Sequence, residues 1–282
     1  MINGPGVHDF IRPYPVIPSR KRILMLTAGV DIGSRSIEVV LTDGAQILET
    51  VTAITGSSPT ENAKKAFANA LDAAGIGRQD VAKVIATGYG RNYFPEADAV
   101  SSEILCHARG VAYLFPSART VIDIGGQDSK MISLDGNGKV SNFVMNDRCA
   151  AGTGKFIEMI GLMLDVPLDR MGALTEHADG VCEISSMCAV FAESEIIGLT
   201  QSGTAVDVVL RGVFRSVARR TLAMTGKIGL ISDVVFTGGV ARNNGVVRAI
   251  EHETGTRLRI PPDPQITGAL GAALVAADKA RG

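Results

Sequence analysis

The sequence predicts an α/β protein built as two duplicated lobes around a cleft. Three observations carry this: a repeated strand–turn–strand unit, a second strand–turn echo further along, and apolar strands mixed with segments of helical period in both halves. A chain of 282 residues is also too long for one small core and divides naturally into two domains.

The first unit starts at Val30-Asp31-Ile32-Gly33-Ser34-Arg35-Ser36 and runs through Ile37 to Leu41 into Asp43-Gly44. The second starts at Ile122-Asp123-Ile124-Gly125-Gly126-Gln127-Asp128 and runs through Met131 to Leu134 into Asp135-Gly136. Asp31 and Asp123, Gly33 and Gly125, and Asp43 and Asp135 all keep one offset of 92 residues. Each copy reads as an apolar strand, a tight Asp-x-Gly turn, a second strand with β-branched residues and a hairpin turn of the Asp-Gly kind. The echo matches Val84-Ile85-Ala86-Thr87-Gly88 with Val234-Val235-Phe236-Thr237-Gly238 at an offset of 150, so the second half holds about 58 more residues between landmarks. That insertion is placed at about 146–199 and contains Cys149, Cys182 and Cys188.

Helical periodicity covers 62–74, 154–164, 190–199, 206–225 and 267–280, with Gly75 and Gly226 as C-terminal stops. The expected organisation is an N-terminal arm at 1–22, a first lobe at 23–118 and a second lobe at 119–282 that carries the insertion.

Composition narrows the function. With 28 basic against 29 acidic side chains and no long basic run, the surface is not built to neutralise nucleic-acid phosphates. No apolar run approaches the roughly 18 to 20 residues of a membrane span. Residues 1–22 carry Pro5, Pro13, Pro15 and Pro18 but no apolar h-region, so they read as a flexible arm and not a signal peptide. A cytoplasmic location with no membrane partner is expected, where four cysteines stay reduced and an important Cys is a ligand or a nucleophile.

Two facing Asp-x-Gly turns suit a polyphosphate. Gly33, Gly125 and Gly126 let the backbone close on phosphates, Ser34 and Ser36 add donors, and Asp31 and Asp123 hold Mg2+ through water. Gln127 is placed to orient an attacking water. Thr237-Gly238-Gly239 ends an apolar strand before a helix expected near Ala241, suited to close approach by a nucleoside. A single Asp-Ile-Gly is usually an ordinary turn; its duplication beside a Thr-Gly-Gly turn points to a nucleotide. Rival motifs fail: Gly152-Thr153-Gly154-Lys155 imitates a Walker A ending, but the required first Gly falls at Cys149 and the hydroxyl residue at Phe156. No G-x-G-x-x-G follows the first strand.

Five segments together resemble a known family: Asp31-Ile-Gly-Ser, Asp123-Ile-Gly-Gly-Gln-Asp, Asn146-Asp-Arg-Cys-Ala-Ala-Gly-Thr-Gly-Lys-Phe156, Ser185-Ser-Met-Cys-Ala-Val-Phe-Ala-Glu-Ser194 and Phe236-Thr-Gly-Gly-Val-Ala-Arg-Asn243. They are similar to the BadF/BadG/BcrA/BcrD-type iron-sulfur ATPases, which activate 2-hydroxyacyl-CoA dehydratases or serve benzoyl-CoA reductases. The resemblance implies the actin-like ATPase fold of acetate and sugar kinases and Hsp70. It also implies a dimer, of identical or related subunits, bridged by one 4Fe-4S cluster with Cys149 and Cys188 of each chain as ligands.

The residues themselves agree with a shared cluster. Four thiolates would take every Cys of one chain or two from each of two chains, and sharing across a two-fold axis is easier. Cys149 precedes one helix start and Cys188 follows Ser185-Ser186, plausible caps of another; helix N-termini favour thiolates and anionic cofactors. On spacing alone, two buried inert thiols fit as well. Cys106 beside His107 reads as a packed thiol, and Cys182, His177 and Cys188 lack a fourth zinc ligand. Arg211 to Arg220 reads as a solvated face or docking surface, and the Gly/Ala-rich helix after Asp263-Pro264-Gln265 reads as tight packing.

The expected function is an ATP-hydrolysing electron-transfer protein. Ferredoxin or flavodoxin loads it, a change in lobe angle moves the cluster helices, and a partner CoA-thioester enzyme receives a low-potential electron. Arg outnumbers Lys about two to one, a sign of a GC-rich coding sequence, which tilts the acceptor toward an aryl-CoA reductase such as benzoyl-CoA reductase. The alternatives are an activator of a 2-hydroxyacyl-CoA dehydratase, a small-molecule kinase of the same fold without a cluster, or a non-catalytic ATP-dependent interaction protein.

Overall fold

The computed structural model describes residues 25–146, 149–185 and 188–281; the arm expected at 1–22 and the cap residue Ser186 lie outside them. Strands and helices follow in the order β1 (Thr27–Ile32), β2 (Ser36–Thr42), β3 (Ile47–Ile54), α1 (Pro59–Ala74), β4 (Lys83–Thr87), β5 (Ala99–Val100), α2 (Glu103–Leu114), β6 (Thr120–Ile124), β7 (Ser129–Leu134), β8 (Val140–Asn146), α3 (Gly154–Met163), α4 (Leu168–Leu174), α5 (Ala189–Gln201), α6 (Val206–Ala223), α7 (Thr225–Ile228), β9 (Val234–Thr237), α8 (Asn244–Thr254), β10 (Leu258–Arg259) and α9 (Thr267–Arg281).

The repeat becomes two sheets of one design. Their strand orders are β3-β2-β1-β4-β5 and β10-β9-β6-β7-β8, which correspond strand for strand. In each, the strand ending in Asp-x-Gly runs antiparallel to its hairpin partner and parallel to the strand ending in Thr-Gly. β1 and β6 are buried along their whole length, which explains their continuous apolar sequence. Helices α1 and α9 cover the first sheet, and α6 and α8 pack together in the second lobe. Separate apolar cores form around Phe67 and Val30 and around Phe156, Phe214 and Phe236.

The hairpin turns are longer than a two-residue Asp-Gly loop. Asp43 Oδ1 accepts from the Ala45 and Gln46 amides at 2.9 and 2.8 Å, and Asp135 Oδ1 accepts from Asn137 and Lys139 at 2.8 and 2.9 Å. The carboxylates cap wider loops in both copies; the left-handed position falls on Gly44 (φ 86°) in the first and on Gly138 (φ 74°) in the second.

Gly226 is not a helix stop. It lies within α7, and Gly229 ends that helix at φ 76°. Gly75 does end α1, in the left-handed region. The helix expected near Ala241 starts later: residues 239–242 form a 3-10 turn, and Asn243 caps α8 by accepting from Gly245 and Val246 amides at 2.9 and 3.3 Å.

The C-terminal helix α9 crosses to the first sheet, against β1, β2 and β4. Thr27 Oγ1 donates to the Ala273 carbonyl at 2.9 Å, and Gly29 and Gly271 allow backbone approach that any Cβ would block. Among the described residues no helix is long and apolar enough to cross a membrane.

Candidate functional site

The two central strands deliver their aspartates to equivalent places. Asp31 on β1 lies opposite Glu38 on β2 and beside Thr87 on β4; Asp123 on β6 lies opposite Lys130 on β7 and beside Thr237 on β9. Gly88 and Gly238, at φ 84° and 86°, follow the two threonines, and a Cβ on either would strike the neighbouring aspartate. The duplicated geometry therefore differs chiefly in one charge, Glu38 against Lys130.

That difference polarises the centre. Lys130 Nζ meets Glu103 at 2.9 Å, Asp123 at 3.3 Å and Asp128 at 2.7 Å, and all three carboxylates raise its pKa despite burial. Burial pushes the Asp123 carboxyl up, but His107, Lys130 and the Thr237 hydroxyl outweigh it and hold it low. Thr237 Oγ1 donates to Asp123 Oδ1 at 3.1 Å, and His107 Nδ1 approaches the same oxygen to 3.5 Å without hydrogen-bond geometry. Asp31 is the opposite case. Burial, with Glu38 and Glu103 nearby, raises it well above the usual carboxylate range. Burial likewise lifts Glu38 to about 7, although Ser36 and Gln265 hydrogen-bond to it. Carboxylates outnumber cations around Asp31, so a divalent cation suits that side of the cleft.

The two Asp-x-Gly turns touch. Gly33 N donates to Ser36 O at 2.9 Å and Gly125 N to Asp128 O at 3.0 Å, closing each turn alike. A Cβ on Gly126 would collide with the Arg35 side chain and lie 3.2 Å from Ser34 Oγ. Ser36 Oγ accepts from Gln265 Nε2 at 2.9 Å. Gln127 is exposed at the tip of its turn. Gly238 N donates to Pro264 O at 3.0 Å, while Gly239 faces open space.

The imitation Walker A segment has another use. Gly154 N and Lys155 N, at the head of α3, donate to Gly125 O and Gly126 O at 2.9 and 2.8 Å. Those amides hold α3 to the second turn. Glu158 on α3 pairs with Lys155 at 3.1 Å and with Arg35 of the first turn. Thus α3 is fastened to both turns.

Cys149 sits just before the 3-10 turn 150–152 that leads into α3, and Cys188 is the residue before α5. Cys149 is half-buried and Cys188 exposed. Cys106 is fully buried where α2 crosses α9, and burial pushes its thiol to about 11. Cys182 rests on α6, its Sγ 3.9 Å from Val209 O, and burial raises its thiol. Among the described residues no three or more His, Cys, Asp or Glu side chains are grouped to hold a metal ion.

Sequence reading missed Glu38, Glu103, His107, Asp128, Lys130 and Glu158. Glu38 and Lys130 were visible as lone charges inside apolar strands at the repeat's own offset of 92. Arg35 and Glu158 carry no such signal, because their meeting depends on how the lobes face each other.

Comparison with known proteins places this geometry. The activator of lactoyl-CoA dehydratase from Anaerotignum propionicum is 47% identical over 260 residues, covering 91% of this chain and 99% of the relative. The solved structure of the activator of 2-hydroxyisocaproyl-CoA dehydratase from Clostridium difficile with bound ADPNP superposes at TM-score 0.87 with 42% identity, covering 91% of this chain and 96% of that one. One subunit of benzoyl-CoA reductase from Thauera aromatica is 33% identical, covering 89% and 93%. A Streptomyces griseus ROK glucokinase shares the fold alone, at TM-score 0.58 and 18% identity over 90% and 99% of the two chains. The architecture is the actin-like ATPase fold.

These values correct the lean toward an aryl-CoA reductase. Dehydratase activators stand at 40 to 47% identity against 33% for the reductase subunit, and an Arg-rich composition reports codon usage without bearing on the acceptor. The model of the BadF/BadG/BcrA/BcrD ATPase family matches residues 28–276, and the chain belongs to that family.

Proposed function

We propose that this ATPase activates a 2-hydroxyacyl-CoA dehydratase by delivering a low-potential electron from a 4Fe-4S cluster shared between two copies of the chain. The observation that carries this reading is the attachment of the Cys149 segment to the nucleotide turns. Cys149 leads straight into α3, whose first amides bond to Gly125 and Gly126 and whose Glu158 reaches Arg35. A change at the phosphates therefore acts on the cysteine segment through short, direct contacts.

The residues fit the groups the family implies. Cys188, exposed, stands at the start of α5, and Cys149, half-buried, stands before the 3-10 turn that leads into α3. They make half of a four-thiolate set, completed by the same pair from a second copy. The cluster, when bound, supplies one-electron transfer. Asp31 and Asp123 would hold Mg2+ through water: Asp31 because the carboxylates of Glu38, Glu103 and Asp123 around it outnumber the one cation, Lys130, and Asp123 because Thr237 and Lys130 fix it. Gly33, Ser34, Ser36, Gly125 and Gly126 would line the phosphates, Gln127 would orient water, and Gly238 and Gly239 would admit the nucleoside. Ferredoxin or flavodoxin would be the donor.

The test is reconstitution. Protein isolated without oxygen and reduced should switch on a 2-hydroxyacyl-CoA dehydratase only with ATP and Mg2+. A colourless protein that phosphorylates a small acceptor and activates nothing would support a kinase of the same fold.

A further inference from the structure

We propose that Arg220 is a positioning residue for the shared cluster: its stem packs beneath the Cys149 turn and its charge stabilises the reduced, more negative state. This rests on the electron-transfer reading above and adds to it a residue outside the cysteine motifs.

The geometry comes from α6, which packs against both the 3-10 turn behind Cys149 and the helix α5 that starts at Cys188. A Cβ on Gly152 would lie 3.5 Å from Arg220 Cβ and 3.8 Å from its Cδ, so the Arg220 stem forms the floor under the Cys149 turn. Asn146 closes the same turn, its Nδ2 donating to Cys149 O at 3.2 Å and standing 3.8 Å from that Gly152 position. Arg220 Nη1 donates to Ser216 Oγ one turn back, at 2.6 Å, which fixes the direction of the guanidinium. Burial lowers the Arg220 pKa, and the nearby Cys149 and Cys188, distant in sequence, oppose that shift.

The neighbouring arginines of α6 are committed elsewhere. Arg211 donates to the Ala178 carbonyl at 2.8 Å, and Arg215 and Arg219 pair with Glu183 and Glu253. Arg220 is the α6 arginine whose stem packs under the Cys149 turn. One-electron reduction adds one negative charge among four thiolates, and a fixed, partly desolvated cation favours the product. Arg is suited to this because it keeps its charge when buried.

The experiment uses the holo-dimer with Arg220→Gln and Arg220→Lys. Each is reconstituted with iron and sulfide under anaerobic conditions and titrated with titanium(III) citrate, following the reduced cluster by electron paramagnetic resonance. Arg220→Gln is expected to lower the reduced-to-oxidised ratio about tenfold at a fixed applied potential, which is about 59 mV, while Arg220→Lys keeps most of the wild-type value. A Gln variant that loses iron where the Lys variant keeps it also supports a role for the charge. Wild-type potential in the Gln variant, or equal loss of iron in both variants, would reduce Arg220 to a packing residue. Failure of the wild-type chain itself to bind iron would instead reject the cluster, independently of Arg220.

Discussion

Glu38 is a carboxylate held where its charge is unwelcome. It is 4% exposed, opposite Asp31, and burial lifts its pKa from 4.5 to about 7. The folded chain therefore keeps a proton that the unfolded chain has released between about pH 4.5 and 7, and stability falls as pH rises through that window. Glu38→Gln still accepts from Gln265 and carries no charge to bury. It should unfold at higher urea above pH 7, by up to about 3 kcal/mol without Mg2+, and match wild type near pH 4; parallel curves at all pH values would contradict this. Asp123 plays the opposite part, a carboxylate kept ionised by Lys130 and Thr237. Asp123→Ala should eliminate Mg-dependent ATP hydrolysis, measured as phosphate release, and unchanged turnover would show the metal lies elsewhere.

At the scale of single elements, caps and close approaches decide the structure. Asn243→Ala removes the acceptor for two α8 amides and should cost about 1 kcal/mol in thermal or urea unfolding. The residue was quoted in the sequence motif, yet its cap was not foreseen: the Thr-Gly-Gly turn first passes through a 3-10 turn that periodicity does not show. Periodicity did locate α1, α3 and α6, because each has a buried stripe long enough to read, and also α5, which buries only Ala192 and Ile196, and α9, which is buried nearly all round. It left out α2, although that helix has twelve residues, and α4, a seven-residue helix too short to show a period. The tight packing of the Gly/Ala-rich α9 was legible, since only small residues allow such approach; its docking on β1 was not, because the partner lies far away in the chain.

Across the whole molecule, the repeat made the paired sheets legible, and the contact between lobes is what sequence left hidden. Arg35 from the first Asp-x-Gly turn meets Glu158 on the helix that follows Cys149, joining nucleotide side to cysteine side. Glu158→Gln should leave nucleotide affinity within about twofold while weakening ATP-dependent protection of the 149–163 segment in hydrogen exchange. Equal protection in both proteins would remove Glu158 from the coupling. The proposed electron transfer requires two chains to meet at their cysteines. Native mass spectrometry of oxygen-free protein measures this most directly: wild type should appear as a dimer with about four irons, and Cys149→Ser as iron-free protein that still binds ATP. Iron-free wild-type chains, or a Cys149→Ser dimer with its iron intact, would contradict it.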